Sequence, residues 1–194
     1  MLLLFNRRKK MGYWQTRGLR GSDFEDLINR TNRIYMDDDL AVIQKIPTSI
    51  KPVRLDKEKG VITLAYFDEK STVDYVGNVQ GIPVCFDAKQ TNKKSLPIAN
   101  IHEHQVRFMD KFDMQGGLAF ILVHFSLLDE YYILGIERLI EFYNSAMNGG
   151  RKSIPYDEIK KGIRVYETVE YPLHYLEGIE KYLTIKEEKD AAGE

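Results

Sequence analysis

The run T-V-D-Y-V-G-N-V-Q-G-I-P-V-C-F-D-A-K, from Thr72 to Lys89, decides the fold class. It holds two apolar stretches, each carrying one carboxylate, with turn-forming residues at Gly77-Asn78 and Gly81 between them. Side chains two apart on a strand share a face roughly 6.5 to 7 Å apart, so Asp87 and Lys89 point together while Phe86 and Ala88 point away. Thr72 and Asp74 pair in the same way. If the two strands are neighbours, Thr72, Asp74, Asp87 and Lys89 converge on oxygen ligands for a hard cation plus one ammonium. Carboxylates that hold Mg²⁺ beside a lysine suit phosphodiester hydrolysis, in which the metal activates water and the ammonium neutralises developing charge.

An acid-x-Lys triplet alone is weak, because the chain has four: Asp68 to Lys70, Asp87 to Lys89, Glu158 to Lys160 and Glu187 to Lys189. Only the second closes an apolar run, Ile82 to Phe86, and follows another strand-borne Asp. The plain structural alternative is a strand ending in a surface ion pair.

The 194 residues suffice for one core and one domain. A single cysteine, Cys85, excludes an internal disulfide, fits a reducing compartment and reads as a core residue. Met1 to Phe5 is apolar but too short for a membrane span or signal peptide, and Arg7-Arg8-Lys9-Lys10 follows at once, so a cytoplasmic protein without membrane partners is expected. Residues 1–20 hold six of the 28 Lys and Arg and none of the 29 acids, so the remainder carries a net −7. A basic arm over 1–19 on a mildly acidic body points to a polyanion, or to a merely solvated tail.

Phe24, Leu27, Ile28, Thr31, Ile34 and Tyr35 recur at three- and four-residue spacing behind Ser22-Asp23, which predicts a helix over about 23–37. Glu25 in its first turn suits the helix dipole and lies within reach of a metal site. Ala41 to Ile46 reads as a strand ended by Pro47. Residues 51–67 alternate basic and apolar residues about Gly60, as a solvent-exposed hairpin or projecting arm does. Lys51, Arg54, Lys57 and Lys59, with Tyr66 and Phe67, equip such an arm to touch nucleic acid, although an edge hairpin with a charged face has the same pattern.

After Lys89 a polar loop over 90–95 leads to a helix predicted over about 99–113. His102 and His104 are about 200° apart on such a helix and cannot clasp one zinc ion. Gln105 shares a face with Ile101 and Phe108, so its amide turns toward the strands and needs a polar partner such as a metal-bound water or a carboxylate. Gly117 to Phe125 is an apolar central strand, Tyr131 to Leu134 its antiparallel neighbour, and His124 a core or edge histidine. A helix over about 136–147 ends at Asn148-Gly149-Gly150. Arg151-Lys152-Ser153 and Tyr156 form a second basic loop suited to phosphate. Leu173 to Leu183 reads as a last helix and 185–194 as a frayed tail.

Arg20-Gly21 with Glu25-Asp26 and Thr31-Asn32, then Thr72-Val73-Asp74-Tyr75, Asp87-Ala88-Lys89, His102-Glu103-His104-Gln105 and Asn148 to Ile154, resemble in that order the RecU Holliday junction resolvases. The resemblance spans about 18–184. It implies a restriction-endonuclease-like α/β core, a mixed central sheet flanked by helices, within one nuclease domain over 20–184 and with a stalk over about 48–70. It further implies a homodimer, Mg²⁺ dependence with Mn²⁺ able to substitute, and paired nicks at a four-way DNA junction. A recombinase or branch-migration protein is a further expected partner. Position by position, it implies a metal site of Thr72, Asp74, Asp87 and Gln105, Lys89 as transition-state stabiliser, and supporting roles for Arg20 and Glu25. The chain departs from the family in having Asp87 where Glu is usual, one methylene shorter, and in a shorter arm. Two rival readings share these residues: a nuclease of the same fold acting on other branched or duplex DNA, and a non-catalytic junction-binding protein. An intact Asp74, Asp87, Lys89 set speaks against the second.

Overall fold

The structure, a computed structural model, describes residues 22–68 and 72–192. Arg20 and the basic arm lie outside the described residues. In chain order the elements are α1 (Ser22–Asp37), β1 (Val42–Lys45), β2 (Ile50–Asp56), β3 (Val61–Phe67), β4 (Tyr75–Val79), β5 (Ile82–Thr91), β6 (Ser95–Pro97) and α2 (Glu103–Met114). There follow β7 (Leu118–Phe125), β8 (Glu130–Gly135), α3 (Ile136–Met147), β9 (Ser153–Pro155), the single turn α4 (Tyr156–Ile159), β10 (Ile163–Val165) and α5 (Tyr175–Ala192).

Six strands form a mixed sheet in the order β1-β4-β5-β7-β8-β10, in which β5 and β7 are parallel and the other pairs antiparallel. The α/β class, with a mixed central sheet flanked by helices and a projecting hairpin, is as expected. The parallel pair is joined through α2, as a parallel connection requires a crossover. Two-residue alternation splits the strands between two cores. Val84, Phe86, Leu118, Phe120 and Leu122 face a layer that includes Phe24, Ile28 and Tyr35 of α1 with Tyr175 and Ile179 of α5. Cys85, Ala119, Ile121, Val123 and Phe125 face Val106 and Met109 of α2 and Leu139 of α3. Burial on both faces is why β7 is apolar at nearly every position. Cys85 is buried within it, its thiol pushed up to about 12 by burial and, secondarily, by Asp87. His124 stacks on Tyr131 at 4.3 Å and beside Phe24 at 5.2 Å, in the core-edge role expected.

The β4–β5 turn falls on the second of the two expected turn signals. Gly77 and Asn78 lie inside β4, and the chain reverses at Gln80 (φ 49) and Gly81 (φ 96). Two consecutive left-handed residues match the twist of the flanking strands, and Asn78 Oδ1 accepts the Gly81 N–H at 2.8 Å. Gly77 serves packing instead: a Cβ there would lie 2.3 Å from the Val42 carbonyl oxygen and 2.6 Å from Ile43 Cα.

The hairpin of β2 and β3 is a sheet of its own, with Ile50 opposite Phe67 and Asp56 opposite Val61. Asp56 Oδ1 accepts the N–H groups of Glu58 and Lys59, both at 3.1 Å, and Gly60 takes φ 63 to close the turn. Val53, Leu55, Ile62 and Leu64 are all exposed.

Three boundaries move. The helix expected from 99 begins at Glu103, because Ile98–Asn100 forms a separate 3-10 turn and the Gln105 side chain caps the His102 N–H. The polar loop after Lys89 is shorter, since β5 extends to Thr91 and Ser95–Pro97 pairs with Ser153–Pro155. The last helix runs to Ala192 where a frayed tail over 185–194 is expected: Lys186 pairs with Asp113 and Lys189 with Glu137, tying its distal turns to α2 and α3. Among the described residues no helix is long and apolar enough to cross a membrane.

Replacing Gly77 by Ala forces β1 away from β4 through backbone contacts that no rotamer relieves. A loss of about 1–3 kcal/mol is expected in urea unfolding, and a variant as stable as the parent would show that β1 yields without cost.

Candidate active site

Asp74 stands one residue before β4 and Asp87 in the middle of β5, where Tyr75 lies opposite Phe86. That register lets each carboxylate reach the other strand's backbone. Asp87 Oδ1 accepts the Asp74 N–H at 2.8 Å, and Asp74 Oδ2 accepts the Ala88 N–H at 3.0 Å. The Lys89 ammonium lies 2.8 Å from Asp87 Oδ2 and 4.0 Å from Asp74 Oδ2. It compensates charge there without aligned hydrogen bonding, since Asp87 Oδ2 is buried with no hydrogen-bond donor directed at it. Asp87 has no exposed side-chain surface, Lys89 keeps 14% and Asp74 24%. This is not the solvated pair that the triplet alone would permit.

Burial first, and then the negative charge of Asp87, hold the Asp74 carboxyl above its ordinary value, against lowering by Lys89, the Ala88 N–H and Lys45. Two carboxylates on one lysine leave the site short of positive charge, and one buried oxygen lacks a donor. Both features suit a divalent cation bound by one or two carboxylates, with water and phosphate completing its shell. Among the described residues no three His, Cys, Asp or Glu side chains gather as a metal cluster, so further ligands would be neutral oxygens.

The remaining candidates are distributed unevenly. Thr72 is exposed and, like Asp74, lies in the irregular lead-in to β4 rather than on a strand. Gln105 is buried on α2, which packs on β5 and β7, and its Oε1 accepts the His102 N–H at 3.1 Å. Glu25 in α1 is paired with Lys45 at the end of β1, and the Tyr75 hydroxyl donates to the Glu25 carbonyl at 3.3 Å and to Asn29 Oδ1 at 3.2 Å. Lys45 was not read from the sequence as a site residue, although its charge reaches Asp74. Its place before Pro47 at a strand end was the one available signal.

On the hairpin, Lys51 pairs with Asp68, Lys59 lies 3.9 Å from Asp56, and Arg54 and Lys57 are exposed. Tyr66 and Phe67 stand at the hairpin base, 64% and 81% exposed. Lys152 turns its ammonium onto the Ala146 carbonyl at the end of α3, while Arg151 is exposed and donates to Ser153 Oγ at 3.4 Å.

Residues 19–181 match the family model of RecU, described as Recombination protein U. The chain belongs to the RecU family. Among RecU proteins, the Holliday junction resolvase RecU of Oceanobacillus iheyensis is 44% identical over 160 residues, 80% of this chain and 79% of that one. The Holliday junction resolvase RecU of Streptococcus thermophilus is 43% identical over 169 residues, 84% of each chain. Hjc, a Holliday junction resolvase from Archaeoglobus fulgidus, superposes with a TM-score of 0.44 at 11% identity, over 75% of this chain and 91% of that one. In this RecU chain Asp87 and Lys89 on β5 lie beside Asp74, which immediately precedes β4.

The raised Asp74 carboxyl has a consequence for stability. It binds its proton more tightly folded than unfolded, so its penalty sets in as pH rises through the ordinary value of 3.8 and is complete above the raised folded value. In EDTA, Asp74→Asn should therefore melt higher than the parent at pH 8 and lose that advantage by pH 4. An equal difference in Tm at both pH values would contradict the assignment.

Proposed function

We propose that this protein is a metal-dependent endonuclease that resolves four-way (Holliday) DNA junctions by paired symmetric nicks during recombination and repair. The observation that carries this reading is the reciprocal Asp74–Asp87 pair with Lys89 beside it, in a chain of the RecU family. Mg²⁺, replaceable by Mn²⁺, would be held by Asp74 and Asp87, with Thr72 and Gln105 as neutral oxygen donors. The Gln105 carbonyl has a second lone pair and can ligate while capping α2. When bound, the cation supplies an acidified water and a polarised phosphate.

The chain's own residues do the rest. Asp87 accepts the Asp74 N–H and Asp74 accepts the Ala88 N–H, so the two carboxyl groups keep their places. The Lys89 ammonium beside them turns its charge toward the phosphate as negative charge builds on it. Glu25 supports the site from α1 through Lys45 and the Tyr75 hydroxyl, and Arg20 is assigned a supporting role by the family resemblance. Asp87 is shorter than the usual Glu, but its Oδ1 fixes the Asp74 backbone, which ties the two strands directly.

Phosphate contacts position a protein on DNA without identifying a branch. The hairpin supplies the reader: exposed Arg54 and Lys57, with Lys51 and Lys59, for crowded phosphates, and Tyr66 and Phe67 for exposed base faces. Arg151 and Lys152 extend the contact surface. Two nicks of like polarity call for two sites, so the working unit is a homodimer, acting in the cytoplasm alongside a recombinase or branch-migration protein. Residues 20–184 form the nuclease domain and 1–19 a basic arm for the same polyanion.

Cleavage of four-way, Y-shaped and linear duplex DNA, side by side with Mg²⁺ and with EDTA, tests the reading. Nicking of the junction alone, and only with metal, is expected; equal cutting of linear duplex would make this a different nuclease. Asp87→Asn should abolish nicking while junction binding persists, and Lys89→Ala should slow it about 10²-fold or more with metal affinity kept. A Lys89→Ala variant that instead loses the metal would assign the ammonium to the wrong task.

Shortening the hairpin separates reader from catalyst. A variant lacking residues 54–65, closed by a short Gly linker, should stay folded and dimeric and lose its preference for junction over duplex. An unchanged binding ratio would move selection to the spacing of the two sites.

A further inference from the structure

β5 and β7 are the parallel pair of the sheet, and a cavity of about 690 Å³ opens at their carboxyl ends. Ligands of α/β sheets collect at such ends because the loops that leave parallel strands diverge there. The cavity is lined by Gln90, Thr91, Asn92, Lys93, Asn100 and Ser126, with Pro97 and Leu127 and no carboxylate. Thr91 lies two residues beyond Lys89 on the same strand and face, about 7 Å along it. On one strand of a duplex that is about two nucleotide rises.

The wall is built. Thr91 Oγ1 donates to the Ser95 carbonyl at 3.1 Å and accepts the Lys93 N–H at 3.2 Å. Ser126 approaches from β7, its N–H at 3.0 Å and Oγ at 3.2 Å from the Thr91 carbonyl. These bonds order the loop backbone and leave the outward side chains free. Asn92, Lys93 and Asn100 are exposed, and no side-chain partner occupies them among the described residues. Gln90 borders the cavity with a carboxamide oxygen that finds no hydrogen-bond partner. Lys94 and Leu128, the next residues along both loops, line a second cleft with Arg151 and Asp157, in which two cations face one carboxylate.

We propose that this cavity is a nucleotide subsite beside the scissile phosphate, in which Lys93 takes a backbone phosphate and Asn92 and Asn100 read a base edge. The proposal rests on the endonuclease reading and deepens it by placing base selection in the core rather than on the hairpin. A carboxamide offers one donor and one acceptor side by side, the match of adenine N7 and N6, so adenine is the base best served. A lysine without a carboxylate beside it suits phosphate.

The test is a set of four-way junctions that differ only in the bases flanking the nick, cut by the parent, Asn92→Ala, Asn100→Ala and Lys93→Ala. The parent should favour one base, adenine first, within two nucleotides of the nick. Each Asn variant should flatten that preference about ten-fold, the discrimination one two-point contact supplies. Lys93→Ala should weaken binding to all junctions alike and lower the slope of log affinity against log salt by about one. A parent without base preference, or Asn variants whose cleavage maps match the parent's, would overturn the subsite. If the parent cuts no junction with Mg²⁺, the endonuclease reading fails instead. Competition binding of the same junctions in EDTA then decides the subsite: preference lost in the Asn variants upholds it, and preference retained ends it.

Discussion

Two like charges cannot share a buried site unless something other than their own energies holds them there. In this protein the holding is done by backbone: Asp87 Oδ1 on the Asp74 N–H, and Asp74 Oδ2 on the Ala88 N–H. Each carboxylate satisfies a donor that the strands leave unpaired where β4 begins, so the residues that would repel also staple the two strands. Charge-assisted bonds of this kind are stronger than neutral ones, and a buried acceptor left without a donor is costly. The strain that persists is seen on Asp74, whose carboxyl is raised by burial and by its neighbour.

That staple depends on layers elsewhere. β5 must be central for Asp87 to be sealed, and it is central because β7 and α2 pack against it while β4 and β1 extend the other side. Gly77 is a condition of the same arrangement, since any side chain there would meet the β1 backbone. The alternation of β5 sends Phe86 into the α1 layer, stacked between Tyr75 and Phe120, and Asp87 toward the α2 layer. One residue of slip would bury Ala88 where Asp87 stands and dismantle the site.

The hairpin obeys an opposite rule. Two strands with exposed Val53, Leu55, Ile62 and Leu64 have no layer beneath them, and an isolated hairpin is marginal in water. Such a surface makes sense as a part that meets another molecule, and the rings of Tyr66 and Phe67 sit where it joins the body.

The sequence by itself determined every element whose pattern is local and periodic: α1 from its three- and four-residue spacing, β7 from its unbroken apolar run, the hairpin from alternation about Gly60. It also put Asp87 and Lys89 on one face, because a period of two fixes which side chains point together, and left Asp74 to join them only if the two strands are neighbours. Tertiary structure decided what no local pattern encodes. Of the two turn signals, Gly81 took the turn and Gly77-Asn78 stayed within β4, because the glycine at 77 is needed where β1 crosses. Gln105 was committed to capping its own helix, which begins only after a separate 3-10 turn. Residues 185–192 remained helical because Lys186 and Lys189 found Asp113 and Glu137, more than 50 positions away in the chain. Partners so distant are chosen by packing, and only the folded chain brings them within reach.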